Sequence, residues 1–418
     1  LTVALVPAFA DATPVAHDDG AHQGVGLDGP TASFRQRQRA GHPFAVGHAV
    51  FPLPGEPIHS IVEGLRTSFP FHERSSDVLP SVAVVGATGA VGEIMRQVLS
   101  EHKFALRGIK FLASERSAGK PIDFAGKQYP VEPLRPEAFA GVDIVLSSTP
   151  AGISREYSPI AARAGAVVID NSSAWRMDPE VPLVVPEVNA DALRRIPKGI
   201  VANPNCSTIQ MVVALKPLHD LAKIKRVVVS TYQASSGKGA KGLYDLDAQL
   251  AAVGRGEPVP AATAHAAQLA GNVLPHDWKL GDDGYSEEEW KMVRETRKIM
   301  GDDTIQVSPT TARVPVRIGH SEAINLEFER PITVEQAREA LRRAPGIVLV
   351  DDYAKGQVPL ALACEGRDEV FVGRIRKDPT LANGLNLWVV ADNLRKGAAT
   401  NAVQIAEVLV QRGWLPRK

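Results

Sequence analysis

Ser81-Val82-Ala83-Val84-Val85 leads directly into Gly86-Ala87-Thr88-Gly89-Ala90-Val91-Gly92, and the apolar spacing of Ile94, Val98 and Leu99 follows. A β-branched run, a glycine turn and a helical period in that order predict strand, tight turn and helix. The glycines let a pyrophosphate approach the backbone, and the helix N-terminus supplies N–H groups and the positive end of its dipole. Gly-x-x-Gly-x-x-Gly is a variant of the usual dinucleotide fingerprint, and its place between strand and helix is what gives it weight.

The pattern continues from there. Gly108–Ala113, Val142–Ser147 and Ala166–Asp170 read as further strands, with a helix around Ser154–Ala164. Strands alternating with helices imply a doubly wound parallel sheet. Longer alternating strands follow over Arg226–Gln233, Thr304–Ile318, Ala323–Glu329, Val370–Arg376 and Asn386–Ala391. These predict a second, α+β domain with a mostly antiparallel sheet. The amphipathic run Ala398–Arg412 is a helix able to return to the first domain. The expected boundaries are 80–206 for a Rossmann-like domain completed by residues 398–418, and 207–397 for a second domain.

Two cysteines occur in 418 residues, Cys206 and Cys364. They offer no disulfide framework and no metal motif, and they favour a reducing, cytoplasmic setting. Cys206 lies in Asn203-Pro204-Asn205-Cys206-Ser207-Thr208, where a loop becomes a helix. There the macrodipole and unpaired N–H groups are expected to lower the thiol pKa, and the same N–H groups to cradle an oxyanion.

Lys+Arg and Asp+Glu balance at 47 each, so nothing points to nucleic acid or an anionic membrane. No apolar run has the length of a membrane span. Residues 1–79 are dense in Gly, Pro, His and Ala without a sustained period, and are expected to be disordered or non-native. The chain opens on leucine rather than methionine, which suggests a true start near Val78.

Further motifs stand in order: Ser114-Glu115-Arg116-Ser117, Ser148-Thr149-Pro150, Asp170–Arg176, Thr231–Gly237, Glu288-Glu289-Trp290-Lys291, Arg313–Ala323 and Asn386–Ala399. Together with the glycine turn and Pro204–Thr208, they resemble the aspartate-β-semialdehyde dehydrogenase family from Ser81 to the C-terminus. The resemblance implies NADPH-dependent reduction of L-aspartyl-4-phosphate to L-aspartate-4-semialdehyde with release of phosphate. That step leads toward lysine, threonine, methionine and diaminopimelate. It further implies a homodimer acting on small molecules, with no metal.

Residue by residue, the resemblance makes Cys206 the nucleophile, His320 the acid/base and Gln233 the group orienting the acyl chain. Arg313 would grip the substrate α-carboxylate, Arg176 and Lys291 the phosphate, and Glu288 the amine, with Asn205 beside the cysteine. Gly86, Thr88, Gly89, Ala90, Val91, Gly92, Ser114, Arg116, Ser117, Thr149, Ser236, Gly237 and Asn393 would bind the dinucleotide. Arg116 fits the 2′-phosphate of NADP, although Glu115 stands about where a ribose-binding acid would favour NAD. Lys238 departs from the family's Ser-Gly-Ala-Gly.

Two other readings compete. N-acetyl-γ-glutamyl-phosphate reductase shares the fold and thiol chemistry, but its cysteine motif resembles Pro-Gly-Cys-Tyr-Pro-Thr rather than Pro-Asn-Cys-Ser-Thr. A catalytically silent dinucleotide-binding homologue would be expected to lack Cys206, His320 or Arg313.

Overall fold

A computed structural model describes residues 79–275 and 277–416. The expectations for residues 1–79 and for a start near Val78 fall, Leu79 apart, outside them. The strand–turn–helix unit is present as β1 (Ser81–Val85) and α1 (Ala90–Glu101). It is followed by β2 (Gly108–Ala113), β3 (Pro121–Phe124), β4 (Lys127–Pro133), β5 (Ile144–Ser147), α2 (Ala151–Arg163), β6 (Val167–Asp170) and β7 (Ile200–Ala202). The sheet order is β3-β4-β2-β1-β5-β6-β7, parallel throughout except for the hairpin β3–β4 at one edge. The central strands are buried along almost their whole length, as strands covered on both faces must be. Strand order reverses between β2 and β5 around β1, so the crevice at the C-terminal ends of these strands is where a Rossmann-like sheet takes its ligand.

The chain then enters α3 (Cys206–Ala222) and β8 (Ile224–Gln233), followed by α4 (Gly239–Arg255), α5 (Glu287–Met300), β9 (Gln306–Arg313) and β10 (His320–Phe328). Next come α6 (Val334–Arg343), β11 (Ile347–Leu349), β12 (Val370–Lys377) and β13 (Gly384–Ala391). The order β11-β12-β13-β10-β8-β9 is antiparallel at its centre, but both edge pairings, β8–β9 and β11–β12, are parallel. The expected single run Thr304–Ile318 ends at Arg313, because Pro315 cannot donate to a ladder. Pro309 is accommodated because β9 is an edge strand.

α3 is apolar on almost every side, and Ile209, Met211, Val212, Val213, Leu215 and Leu218 are all buried. It packs into a core shared with Val227, Val229, Ile324, Leu326, Leu387 and Val389 of the second sheet, so its first residue is held rigidly. A short π-helical turn, Arg395–Ala399, leads into α7 (Thr400–Gln411). Ala402, Val403, Ile405, Ala406 and Leu409 of α7 are buried among Val82, Val84, Met95 and Val98 of the first sheet and α1. Among the described residues no helix is long and apolar enough to cross a membrane.

Candidate active site

The C-terminal ends of β1 and β2 hold the glycine turn. Gly86 has φ +79°, and a Cβ there would lie 2.5 Å from the Ser148 carbonyl oxygen. One on Gly92 would lie 2.3 Å from the Gly86 oxygen, whereas Gly89, at φ −85°, would meet that oxygen only at 3.3 Å. Gly89 is the N-cap of α1 and gives it no side-chain cap. The first turn of α1 therefore presents bare N–H groups beside a backbone stripped of side chains, which fits the pyrophosphate of a dinucleotide. Beyond β2, Glu115–Ser117 form a 3-10 turn on which Arg116 is exposed. Glu115 accepts from Arg135 Nη2 at 2.8 Å and Nε at 3.1 Å. The carboxylate that would discourage a 2′-phosphate is thus already engaged.

A cavity of about 370 Å³ opens beside this turn. Val91, Thr149, Ser236, Gly237 and Asn393 line it together with Arg176, Asn205, Cys206, Gln233, Glu288, Lys291 and Arg313. Residues expected for the dinucleotide and residues expected for the chemistry share one space. Ser236 and Asn393 bond to one another, and Asn393 Oδ1 also accepts the Gly319 N–H at 3.0 Å.

Cys206 is the first residue of α3, and Asn205 is its N-cap. Asn205 Oδ1 accepts the N–H groups of Ser207 at 3.0 Å and Thr208 at 3.2 Å. Those donors are engaged by the cap, and the Ser207 N–H also faces the sulfur, so they are not left free for an oxyanion as expected. The thiol also departs from expectation. Burial pushes it up to about 12 and Glu288 adds to the effect, while Arg313, Arg176 and the Ser207 N–H pull the other way. Desolvation and Glu288 outweigh Arg313, Arg176 and the Ser207 N–H, so the resting sulfur is a thiol.

Glu288 organises one wall. Its Oε1 accepts from Asn205 Nδ2 at 2.8 Å and Gln233 Nε2 at 3.2 Å, and its Oε2 faces Lys291 Nζ at 3.3 Å. Burial opposes its charge, but Lys291, Asn205, Gln233 and Arg313 together hold the carboxyl below its ordinary range. Arg176 uses all three nitrogens, donating to the Asn203 carbonyl, the Asn171 carbonyl and Glu295 Oε1. Glu295 also takes the Asn205 N–H at 2.7 Å, and burial raises its pKa. Sequence reading missed Glu295, although it follows Glu288 by about two helical turns and so shares its face.

Arg313, at the end of β9, is 1% exposed. Its Nε meets Asp277 Oδ2 at 3.0 Å, its Nη1 donates to the Ala234 carbonyl at 2.7 Å, and its plane lies 4.7 Å from the Trp278 ring centre. Asp277 and Trp278 were also missed.

His320 is fully buried and does not reach the cavity wall; it packs behind Gly237, where a Cβ would approach its Cε1 to 3.5 Å. Its Nδ1 accepts the Ala234 N–H at 3.0 Å, which assigns the imidazole proton to Nε2. Nε2 has no partner among the described residues. Burial first, and Arg313 second, push its pKa well below the ordinary histidine value, so it does not titrate near neutrality as expected. It stands as a neutral donor.

A thiol at a helix start, flanked by cations and a buried carboxylate, shares a cavity with a glycine turn that fits a dinucleotide, an arrangement suited to an oxidoreductase. Two family models match: the semialdehyde dehydrogenase NAD binding domain over residues 81–196 and the semialdehyde dehydrogenase dimerisation domain over 215–396. The chain belongs to the semialdehyde dehydrogenase family. It is 56% identical over 336 residues to an aspartate-semialdehyde dehydrogenase of Aquifex aeolicus, covering 80% of this chain and 99% of that one. A Bacillus subtilis enzyme of the same name is 47% identical, with 78% and 96% covered. The crystal structure of aspartate semialdehyde dehydrogenase II from Vibrio cholerae, complexed with ASA, aligns with a TM-score of 0.78 at 47% identity, covering 80% and 98%.

Proposed function

We infer that the chain is an aspartate-semialdehyde dehydrogenase that reduces L-aspartyl-4-phosphate to L-aspartate-4-semialdehyde and releases phosphate. The observation that carries this reading is the single cavity in which Cys206 meets Arg313, Arg176, Lys291 and Glu288 beside the dinucleotide turn. In it, the Cys206 sulfur attacks the acyl carbon, the carbon–oxygen bond to phosphate breaks, and the thiol proton leaves with the phosphate. When bound, NADPH supplies the hydride that reduces the resulting thioester. One proton taken up from solvent converts the reduced adduct to the hemithioacetal, whose collapse breaks the carbon–sulfur bond, frees the aldehyde and restores the thiol.

The chain's own residues position and protonate. Arg313 grips the α-carboxylate, Glu288 the ammonium, and Gln233 orients the acyl group. A substrate ammonium on Glu288 offsets a charge that raises the Cys206 pKa, so binding itself favours the thiolate. Lys291 and Arg176 hold the phosphate, Arg176 through the protons its own carbonyl and carboxylate partners leave over. The acid/base role falls to the Nε2 proton of His320, which Gly237 separates from the cavity in this structure. Gly86, Thr88, Gly89, Ala90, Val91 and Gly92 cradle the pyrophosphate; Ser114, Arg116 and Ser117 take the 2′-phosphate; Thr149, Ser236, Gly237 and Asn393 bound the nicotinamide end. A relative's structure from Candida albicans, 26% identical with a TM-score of 0.64, is described as holding NADP.

Residues 80–206 with 398–418 serve as the dinucleotide domain and 207–397 as the catalytic and dimerisation domain. The reading includes a cytoplasmic homodimer, supported by two free cysteines and by a solvent-facing groove on the second sheet lined by Val228, Ala323, Leu360 and Trp388. A coupled assay in the phosphate-dependent oxidative direction tests it, with aspartate semialdehyde against N-acetylglutamate semialdehyde and NADP against NAD. Turnover with aspartate semialdehyde and NADP is expected; a preference for the N-acetylated substrate would refute the reading.

A further inference from the structure

Arg313 does not stand alone in the cavity wall. Its partner Asp277 has a fully buried side chain and gathers four donors. Oδ2 takes Arg313 Nε at 3.0 Å, Lys238 Nζ at 3.4 Å and His265 Nδ1 at 3.3 Å, and Oδ1 takes the Ala266 N–H at 2.8 Å. His265, also fully buried, continues the chain: its Nε2 lies 2.8 Å from Ser235 Oγ, whose own proton goes to the Gly242 carbonyl at 2.6 Å.

Lys238 closes the loop from the other side, donating to the Asp277 carbonyl oxygen at 2.7 Å. The turn between them lies flat on the arginine, since a Cβ on Gly237 would come within 2.6 Å of Arg313 Nη1. Backbone bonds of 2.9 Å in both directions between Leu274 and Arg313 pin the segment to the end of β9. The guanidinium is thereby fixed by Asp277 at Nε, Ala234 at Nη1 and the Trp278 face, and Nη2 is the nitrogen left without a partner among the described residues.

A free arginine samples many rotamers, and one clamped at two of its three nitrogens has a set direction for the third. We propose that Asp277 is the positioning residue of Arg313, and that with Lys238 and His265 it sets the enzyme's preference for aldehydes carrying an α-carboxylate. Asp277 touches no substrate. It aims the group that does, and Lys238 ties that aim to the 235–238 turn at the dinucleotide side of the cavity. The proposal rests on the reading of Arg313 as the carboxylate grip.

The test compares aspartate semialdehyde with β-aminopropionaldehyde, which lacks the α-carboxylate, in the phosphate-dependent oxidation by the intact enzyme. Asp277→Asn keeps the shape and an acceptor oxygen but removes the charge. It should cut the ratio of kcat/KM for the two aldehydes by roughly 10-fold, through the KM of aspartate semialdehyde, with the KM of phosphate and the Kd of NADP unmoved. In an Arg313→Ala background the same substitution should change nothing, because both act through one contact.

Equal losses on both aldehydes, or an effect that persists without Arg313, would show that Asp277 only supports the fold and would overturn the proposal. If Arg313→Ala alone leaves the ratio intact, the carboxylate grip itself is misassigned, a failure distinct from that of Asp277. Should Asp277→Asn fail to fold, Lys238→Ala decides: a selective drop of about three-fold in the ratio supports the proposal, and an unchanged ratio overturns it.

Discussion

Two helices begin at the same cavity, and they begin differently. α1 starts at Gly89 with no side-chain cap and with glycines at 86 and 92 that keep Cβ atoms away. α3 starts at Asn205, whose side chain caps two N–H groups, and its first residue is the cysteine. An uncapped terminus is an anion site, because its donors and dipole have no internal partner. A capped terminus has spent much of that attraction on itself and gains position instead. At Cys206 the two nearby arginines and the Ser207 N–H do not overcome burial and Glu288, and the thiol is pushed up to about 12. Nucleophilicity at this terminus must therefore be completed by what binds, whereas the dinucleotide terminus is ready beforehand.

The comparison breaks most sharply at the sulfur. Cys206→Ser should lower turnover by more than about 1,000-fold while NADP affinity, measured by fluorescence titration, changes less than about two-fold. A residual rate above a few per cent of wild type would end the covalent mechanism. Next in size is Gly92→Ala. Its Cβ would lie 2.3 Å from the Gly86 oxygen, so the turn must shift, and NADP should bind about 100-fold more weakly. Gly89→Ala, at 3.3 Å and an ordinary φ, should cost less than about 10-fold by the same titration. Equal losses at the two glycines would mean that backbone closeness is not what the turn is for.

Asn205→Ala probes the capped end. It should reduce stability by about 1–2 kcal/mol in urea unfolding and lower kcat as well, since Glu288 loses one of its donors. An unchanged midpoint would remove the capping argument. The smallest effect is a rate of labelling. With its pKa raised, the Cys206 thiolate fraction at neutral pH falls below that of a free thiol, and it grows only as pH climbs toward 12. Iodoacetamide should accordingly modify the unliganded enzyme at least about 10-fold more slowly than free cysteine at pH 7.5, with the rate still rising above pH 9. A plateau near pH 7 would restore the dipole as the stronger influence.

The elements that were legible are those whose causes are local. A β-branched run, a glycine turn and an apolar helical period name themselves within a dozen residues, and so does the loop-to-helix step at Pro204. Even the spent N–H groups were readable, since asparagine directly before a helix is an ordinary cap. Glu295 was harder because its partners Asn205 and Arg176 lie 90 and 119 residues away. Asp277 and His265 sit in irregular chain with no period to mark them. The parallel pairing of β8 with β9 was hidden for a related reason: an edge partner arriving after two helices leaves no signature in the strand it joins. The burial that raised Cys206 and lowered His320 is a property of the assembled core, which no local pattern reports.

The π-helical turn Arg395–Ala399 has a consequence for the order of assembly. Gly397 packs so closely on Cys206 that a Cβ there would approach the cysteine's own Cβ to 2.8 Å, and α7 beyond it fills the core beneath β1 and α1. During synthesis the first sheet is made before the second, and it lacks its α7 cover until the whole second sheet has been made. A ribosome-bound chain stopped before Thr400 would thus expose Val82, Val84 and Met95 to solvent and to chaperones, and the sheet made before the other would be the later to close.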